Sequence, residues 1–472
     1  MITQGVCIGG DFRNLPNTIE VKSPFDGKLA GICSLAGTSE LEEAIDMAQA
    51  CQREMANMPS YQRQEILHGI ANGMERERDD MAKILALEAG KPLKYALGEV
   101  DRAIQTYRIA AEECKRPPAE YIKLDWTPAG KGKEGLVKYF PVGLVAGISP
   151  FNFPLNLTSH KIAPAIATGC PIILKPARST PLSALALARI AYQTSLPKGA
   201  LSILPMDRES GNQLVTDPRF NLLTFTGSPQ VGWKMKEMAG KKKVVLELGG
   251  NAGVIVTETA NIDTAIGKCL SGAFAYSGQV CIHTQRIYVH QSVFNTFIEG
   301  LAKRTAELVI GDPLDSKTDI SAMIDEANTL RVKEWVDEAI NDGAKLVIGG
   351  RVKGGVFLPT ILTNTEPAMK VCAQEVFGPV VIVEPYSNFS EAIDAINNSP
   401  FGLQAGVFTN RIDEENTAFN ELQVGGVVIN DVPTFRVDHM PYGGVKDSGL
   451  GREGVKYAMH DMMEPRILVR GV

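Results

Sequence analysis

The chain has 472 residues, of which 44% are hydrophobic and 22% charged, and its formal net charge is -6. At roughly 150 residues per domain, this length implies two or three globular domains. The acidic balance excludes a general affinity for nucleic acid or anionic lipid, and no apolar run approaches the roughly 18 residues that a membrane-spanning helix needs.

From about Glu40 to Cys114, apolar residues recur at three- and four-residue spacing, as in LEEAIDMAQACQREMA and MAKILALEAG, and predict helices. Gly90-Lys91-Pro92 punctuates this tract and Pro117-Pro118 ends it. YIKLDWTPAGKGKEGLVKYF then predicts two strands around a Gly/Lys-rich turn. From Pro141 the texture changes. The apolar runs VGLVAGIS, CPIILKP, ALSILP, NLLTFTG and KVVLELGG alternate with helical stretches such as TPLSALALARIAYQT. A second series runs from GVIVTE through RIYVH, KLVIGG, PVVIVEP and QAGVFTN to GGVVIN. Such alternation predicts βαβ units and mostly parallel sheets, hence two α/β domains that meet near Gly249-Gly250. The tail ends in RILVRGV, a strand-like run able to pair with the earlier hairpin.

The segment MITQGVCIGGDFRN lacks a basic n-region followed by an apolar core, so no secretory signal is expected. Eight cysteines are scattered without a C-x-x-C pair, and there is no H-E-x-x-H, so a zinc site is not expected. This density fits a reducing, cytoplasmic compartment.

Several short stretches carry residue types suited to chemistry. The G-x-G-x-x-G at Gly449, Gly451 and Gly454 follows a polar loop with few residues after it, and reads as a turn-rich loop rather than a dinucleotide fingerprint. FTGSPQVG follows an apolar run and opens a helix, with Ser228 placed to cap and Pro229 at the first helical position. It is either a phosphate site or an ordinary strand-to-helix turn. Lys175 and Arg178 end another strand, where a basic pair serves a ribose and phosphate or sits solvated. In SPFNFPLN, Asn152 donates to an oxyanion or bonds its own turn. Glu247 lies between two leucines; buried, it would have a raised pKa and suit a general base, and otherwise it is paired or solvated. In SGQVCIHTQR, Cys281 is a core filler or a reactive thiolate.

Taken together, these stretches resemble the aldehyde dehydrogenase superfamily across essentially the whole chain. PFNFP, KPARSTP, FTGS, LELGG, GQVC, EVFGP and PYGGVKDSGLGREG occur in family order. The resemblance implies that Cys281 is the nucleophile, that Asn152 and the Cys281 backbone N–H stabilise the oxyanion, and that Glu247 activates water for thioester hydrolysis. It also implies that Ser149, Pro150, Lys175, Ala177, Arg178, Gly227, Ser228 and Leu248 bind the dinucleotide. Glu375 then takes the nicotinamide ribose, and Phe377 flanks the ring. No metal is required.

The sequence departs from the family pattern in two places. Arg178 stands where many members carry a Glu that binds the ribose hydroxyls of NAD. A guanidinium pairs with a 2′-phosphate that a carboxylate would repel, so NADP is favoured, with NAD possible. Phe151 replaces a common Trp. The substrate is expected to be a small aliphatic or hydroxylated aldehyde or semialdehyde. Its pocket is expected to involve Phe151, Val280, Ile282, His283, Phe435 and Arg436, with Arg436 facing an anion or pairing with Asp438.

By the same resemblance, residues 1–118 and 138–246 form a Rossmann-like cofactor domain, residues 247–454 a second, catalytic one, and residues 119–137 and 455–472 an oligomerisation flap. An isolated hairpin is marginal in water, so the flap implies a homodimer or homotetramer. The rival activities are a CoA-acylating semialdehyde dehydrogenase, against which Glu247 argues, and a cysteine hydrolase, which would need a histidine beside the thiol.

Overall fold

The structure is a computed structural model that describes residues 2–471. The predicted helical tract is four helices: Thr38–Asn57, Ser60–Arg76, Arg78–Ala89 and Leu93–Glu113. In the first, Leu41, Ala44, Ile45, Ala48, Cys51 and Met55 share the buried face that the spacing marks out. Gly90 ends the third helix in the left-handed region at φ 64, and Pro92 precedes the fourth.

These helices pack beside an eight-stranded sheet. Five of its strands are parallel, in the spatial order Lys243–Glu247, Leu222–Thr226, Val145–Ile148, Ile172–Lys175, Leu201–Ile203. Their register pairs Thr226 with Glu247, Phe225 with Ile148, and Ile148 with Lys175. The carboxyl ends of these strands therefore line one edge. A seven-stranded sheet follows in the order Lys345–Ile348, Thr360–Thr363, Val380–Tyr386, Arg286–His290, Gly253–Val256, Gln404–Phe408, Gly426–Ile429. All of its pairs are parallel except the first. The architecture is thus two doubly wound α/β units plus a small β flap, as the sequence implied.

The flap is a three-stranded antiparallel sheet of Ala119–Lys123, Lys133–Pro141 and Met463–Gly471, with pairing that runs from Met463↔Pro141 to Gly471↔Lys133. The boundaries between the parts differ from the sequence reading at three places. The middle strand runs on to Pro141, because the last strand stays paired along its whole length. Residues Val455–Asp461 form a helix against Leu93–Glu113 and Asn156–Thr168, outside the flap, because Val455, Ala458 and Met459 bury their side chains there. Gly449–Leu450 pairs antiparallel with Lys243–Glu247 at the edge of the first sheet. The loop read from the glycine motif therefore returns to the unit it had seemed to leave.

Candidate active site

The carboxyl edge of the first sheet faces the loop that precedes Arg286–His290 of the second, and a cleft of about 530 Å³ lies between them. Ligands of open α/β sheets bind at that edge, and the volume is in the usual range for small-molecule sites. Ser149, Pro150, Phe151 and Asn152 form one wall, from the loop after Val145–Ile148. Ala177, Gly227, Ser228, Glu247 and Leu248 come from the neighbouring strand ends. Cys281, Glu375 and Phe377 come from the second unit.

Cys281 is the one cysteine of the eight that is only partly buried. It follows a short turn in which Tyr276 and Ser277 hold φ of 50 and 52, the left-handed region that such residues rarely enter. Tyr276 Oη donates to the Ala89 carbonyl at 3.0 Å, and Ser277 Oγ to that of Ser321 at 2.7 Å, which holds the strained turn from both units. The thiol lies 3.0 Å from Tyr442 Oη. Burial pushes its pKa up to about 11, opposed by the Tyr442 hydrogen bond and the Arg436 charge.

Asn152 is buried, and its Nδ2 donates to the Gln279 carbonyl at 3.0 Å, two residues before the thiol. Glu247 ends its strand with both carboxylate oxygens buried and without a hydrogen-bond partner. Burial, followed by the nearby charge of Glu453, pushes its pKa well above the carboxylate range. A buried carboxyl group with no direct partner is poised to hold and deprotonate a water molecule.

Glu375 accepts the Gly250 N–H at 3.0 Å. Position 249 must be glycine for this, because a Cβ there would lie 2.2 Å from Glu375 Oε2. Burial pushes Glu375 up to about 7. Phe377 adopts φ 48 and meets Phe151 edge-on, with ring centroids 5.8 Å apart. At the other end of the cleft, Ser228 caps helix Pro229–Met238 without a side-chain hydrogen bond, so its hydroxyl and the first helical N–H groups stay available to an anion. A phosphate end, a carboxylate for ribose hydroxyls and an aromatic wall together fit a nicotinamide dinucleotide. Lys175 stands half-buried at its strand end, with its pKa lowered by burial. Arg178 is exposed and lines a separate open cleft with Thr18, Ile19, Glu20 and Ser179.

The remaining expected pocket residues are placed differently. Val280 and Ile282 pack with Leu403 and Tyr442 in a small apolar cluster against Cys281 and do not line the cleft. His283 is buried, and its Nε2–H donates to the Ala273 carbonyl at 2.8 Å. Burial pushes its pKa down to about 4, and the ring is anchored on that carbonyl, while the thiol's hydrogen bond goes to Tyr442. Phe435 is exposed and does not line the cleft. Arg436 is buried and pairs with Glu453 at 2.8 Å, not with Asp438, and its guanidinium stacks 3.7 Å from the Tyr442 ring centroid. Asp438 instead holds Arg102 at 2.7 Å and His160 at 2.8 Å.

Sequence reasoning also missed the groups behind the thiol and the general-base candidate. Lys161 is fully buried on helix Asn156–Thr168, donates to Thr226 Oγ1 at 2.7 Å, and lies 3.5 Å from Glu453. Burial opposes ionisation of Glu453, but Lys161 and Arg436 hold it below the usual range. The lysine on the helix just after the Asn152 loop was a usable signal; the pairing of Arg436 with Glu453 across a loop was not.

Residues 13–468 match the model of the aldehyde dehydrogenase family. A 3-sulfolactaldehyde dehydrogenase of Priestia aryabhattai is 42% identical over 98% of this chain and 97% of its own length. The crystal structure of an aldehyde dehydrogenase from Physcomitrella patens, in complex with the reaction product succinate, superposes with a TM-score of 0.98 at 43% identity, covering 99% of this chain and 98% of the other. A glyceraldehyde-3-phosphate dehydrogenase of Methanocaldococcus jannaschii, complexed with NADP, gives a TM-score of 0.91 at 38% identity, covering 96% and 99%.

Proposed function

The chain belongs to the aldehyde dehydrogenase family and is an NAD(P)-dependent enzyme of that family, and on that premise we propose that it oxidises a small hydroxylated aldehyde or semialdehyde to the carboxylic acid, with NADP favoured over NAD. The observation that carries this reading is the meeting, in one cleft, of the one partly exposed cysteine, the Asn152 carboxamide and the partnerless Glu247.

Cys281 ionises, with Tyr442 donating to its sulfur, and adds to the aldehyde carbonyl. The oxygen of the adduct takes the Asn152 side-chain N–H and the Cys281 backbone N–H, and one such donor is typically worth about 3–4 kcal/mol of barrier. A bound nicotinamide dinucleotide supplies the hydride acceptor, and Ser228, Glu375 and Phe377 would hold it. Glu247 holds water against the resulting Cys281 thioester and takes its proton. The high pKa of Glu247 makes it a strong base once ionised.

The substrate class is supported by the small, oxygenated or anionic compounds that relatives are named for: 3-sulfolactaldehyde, glyceraldehyde 3-phosphate and the product succinate. The NADP preference is supported by the exposed Arg178 beside Lys175 and by the NADP bound to the M. jannaschii relative. A hydrolase reading lacks its base, since His283 is turned to a backbone carbonyl. A homo-oligomer is supported by the flap, whose strand exposes Ile467, Leu468 and Val469. Among the described residues no helix is long and apolar enough to cross a membrane, and we read the enzyme as cytoplasmic.

The test is a panel of small aldehydes with NADP or NAD, with and without CoA, read by absorbance of the reduced nicotinamide. Oxidation of at least one hydroxylated aldehyde or semialdehyde without CoA, lost in Cys281→Ser, is the expected result. A strict CoA requirement or a fully active Cys281→Ser variant would overturn the reading.

A further inference from the structure

We infer that Lys91 and Glu99, a buried ion pair outside the cleft, are positioning residues that fix the oxyanion donor Asn152 against the nucleophile turn. The inference rests on the role given to Asn152 above.

Lys91 and Glu99 have fully buried side chains and form an ion pair with each other. Lys91 is the centre of the Gly90-Lys91-Pro92 break, which places it between two helices with its ammonium turned inward. Its Nζ also donates to the Asn152 backbone carbonyl at 2.7 Å. Two rings cover it: the ammonium lies 3.8 Å from the centroid of Phe153, next to Asn152, and 4.3 Å from that of Tyr276, in the strained turn before Cys281. Glu99 completes the arrangement from the other side. Its Oε1 accepts the N–H groups of Leu155 and Asn156 at 2.9 and 3.1 Å, at the entry to helix Asn156–Thr168.

One charged pair therefore touches the oxyanion loop at its carbonyl, its aromatic ring and the first N–H groups of its helix, and touches the nucleophile turn through a second ring. The Asn152 carboxamide reaches back to Gln279 in that same turn. A buried ion pair is weak as a source of stability, and burial itself pulls the Lys91 pKa down while Glu99 opposes it. Its value here is geometric. The oxyanion loop between strand Val145–Ile148 and helix Asn156–Thr168 is free to shift unless its backbone is pinned, and a displacement of about 1 Å at a reacting centre costs about 100-fold in rate.

The test uses Lys91→Met and the double variant Lys91→Met/Glu99→Gln. The double variant leaves no unpaired buried charge, and its glutamine oxygen still accepts the two N–H groups, so it keeps the question open to experiment if the single variant does not fold. Each is combined with Asn152→Ala. Aldehyde oxidation is compared with alkylation of Cys281 by iodoacetamide, which displaces iodide at a saturated carbon and forms no oxyanion. The expected result is a kcat lowered by about 100-fold, an unchanged NADP Kd, an alkylation rate close to that of the unaltered enzyme, and no further loss when Asn152→Ala is added. An unchanged kcat would overturn the inference, as would losses that multiply with those of Asn152→Ala. Failure of the Asn152 reading itself shows separately, as a normal kcat in Asn152→Ala alone.

Discussion

Tyr442 and Cys281 are 161 residues apart in the chain and meet with 3.0 Å between hydroxyl oxygen and sulfur. The Tyr442 ring is covered on one side by the Arg436 guanidinium, itself paired with Glu453. Burial keeps the phenol protonated far above its usual range, so it donates rather than competes for the proton. Tyr442→Phe removes a hydrogen bond to the charged form of the thiol, which must raise a pKa already near 11. The iodoacetamide rate at pH 8 should fall by about 10-fold, the equivalent of one pKa unit, while its maximal value at high pH is retained. A rate profile that does not move along the pH axis would refute the contact's role.

Burial and then the Glu453 charge push the Glu247 pKa well above the carboxylate range. An acid with a raised pKa offers its base form only as pH rises, so turnover limited by thioester hydrolysis should climb with pH until Glu247 ionises. Glu247→Gln should keep the first, rapid release of reduced cofactor and lower steady turnover by about 100- to 1,000-fold. Rapid-mixing absorbance separates the two phases.

Arg178 is exposed and stands near Glu20 in its open cleft. Arg178→Glu exchanges a phosphate partner for a repelling charge and should shift kcat/KM from NADP towards NAD by about 10- to 100-fold, the worth of a charge-assisted hydrogen bond. Initial rates with both cofactors measure it.

Glu88 is fully buried, and its two oxygens accept the N–H groups of Leu182 and Ser183 at 2.7 and 3.1 Å, at the start of helix Leu182–Ala191. Burial outweighs these bonds and pushes its pKa from 4.5 up to about 7. The folded protein therefore binds a proton that the unfolded chain has released. This contribution is fully present below about pH 4.5 and is lost as pH rises through about 7. Glu88→Gln removes the titrating group, keeps an acceptor for one of the two N–H groups and turns an NH2 towards the other, so it should lower stability at pH 5 and flatten the fall in Tm between pH 5 and pH 8.

What was legible in the sequence follows from range. Glu247, Asn152 and Cys281 sit in short stretches whose local pattern of strand, turn and helix fixes where the side chain emerges, and the structure gathers all three in one cleft. The alternation of apolar runs also marked the strands of both sheets. Lys91 was read only as punctuation, because a break between helices looks the same whether its side chain faces solvent or the interior. Its contacts to Asn152, Phe153 and Tyr276 depend on how helices cross. Arg436 was expected to face an anion or to pair with Asp438, two positions on. It pairs with Glu453 instead, because the loop folds back under Tyr442 and the nearer carboxylate is taken by Arg102 and His160. His283 was expected at the pocket and is buried instead, an outcome its place two positions after Cys281 does not reveal.

The cleft is assembled from two opposing sheet edges: Asn152 and Glu247 come from one side, Cys281 and Glu375 from the other. Each sheet has its own apolar core, so warming can let the halves part slightly before either one melts. Heat should accordingly silence the enzyme a few degrees before circular dichroism records any loss of structure. A saturating dinucleotide that spans both walls should close that gap by fastening them together.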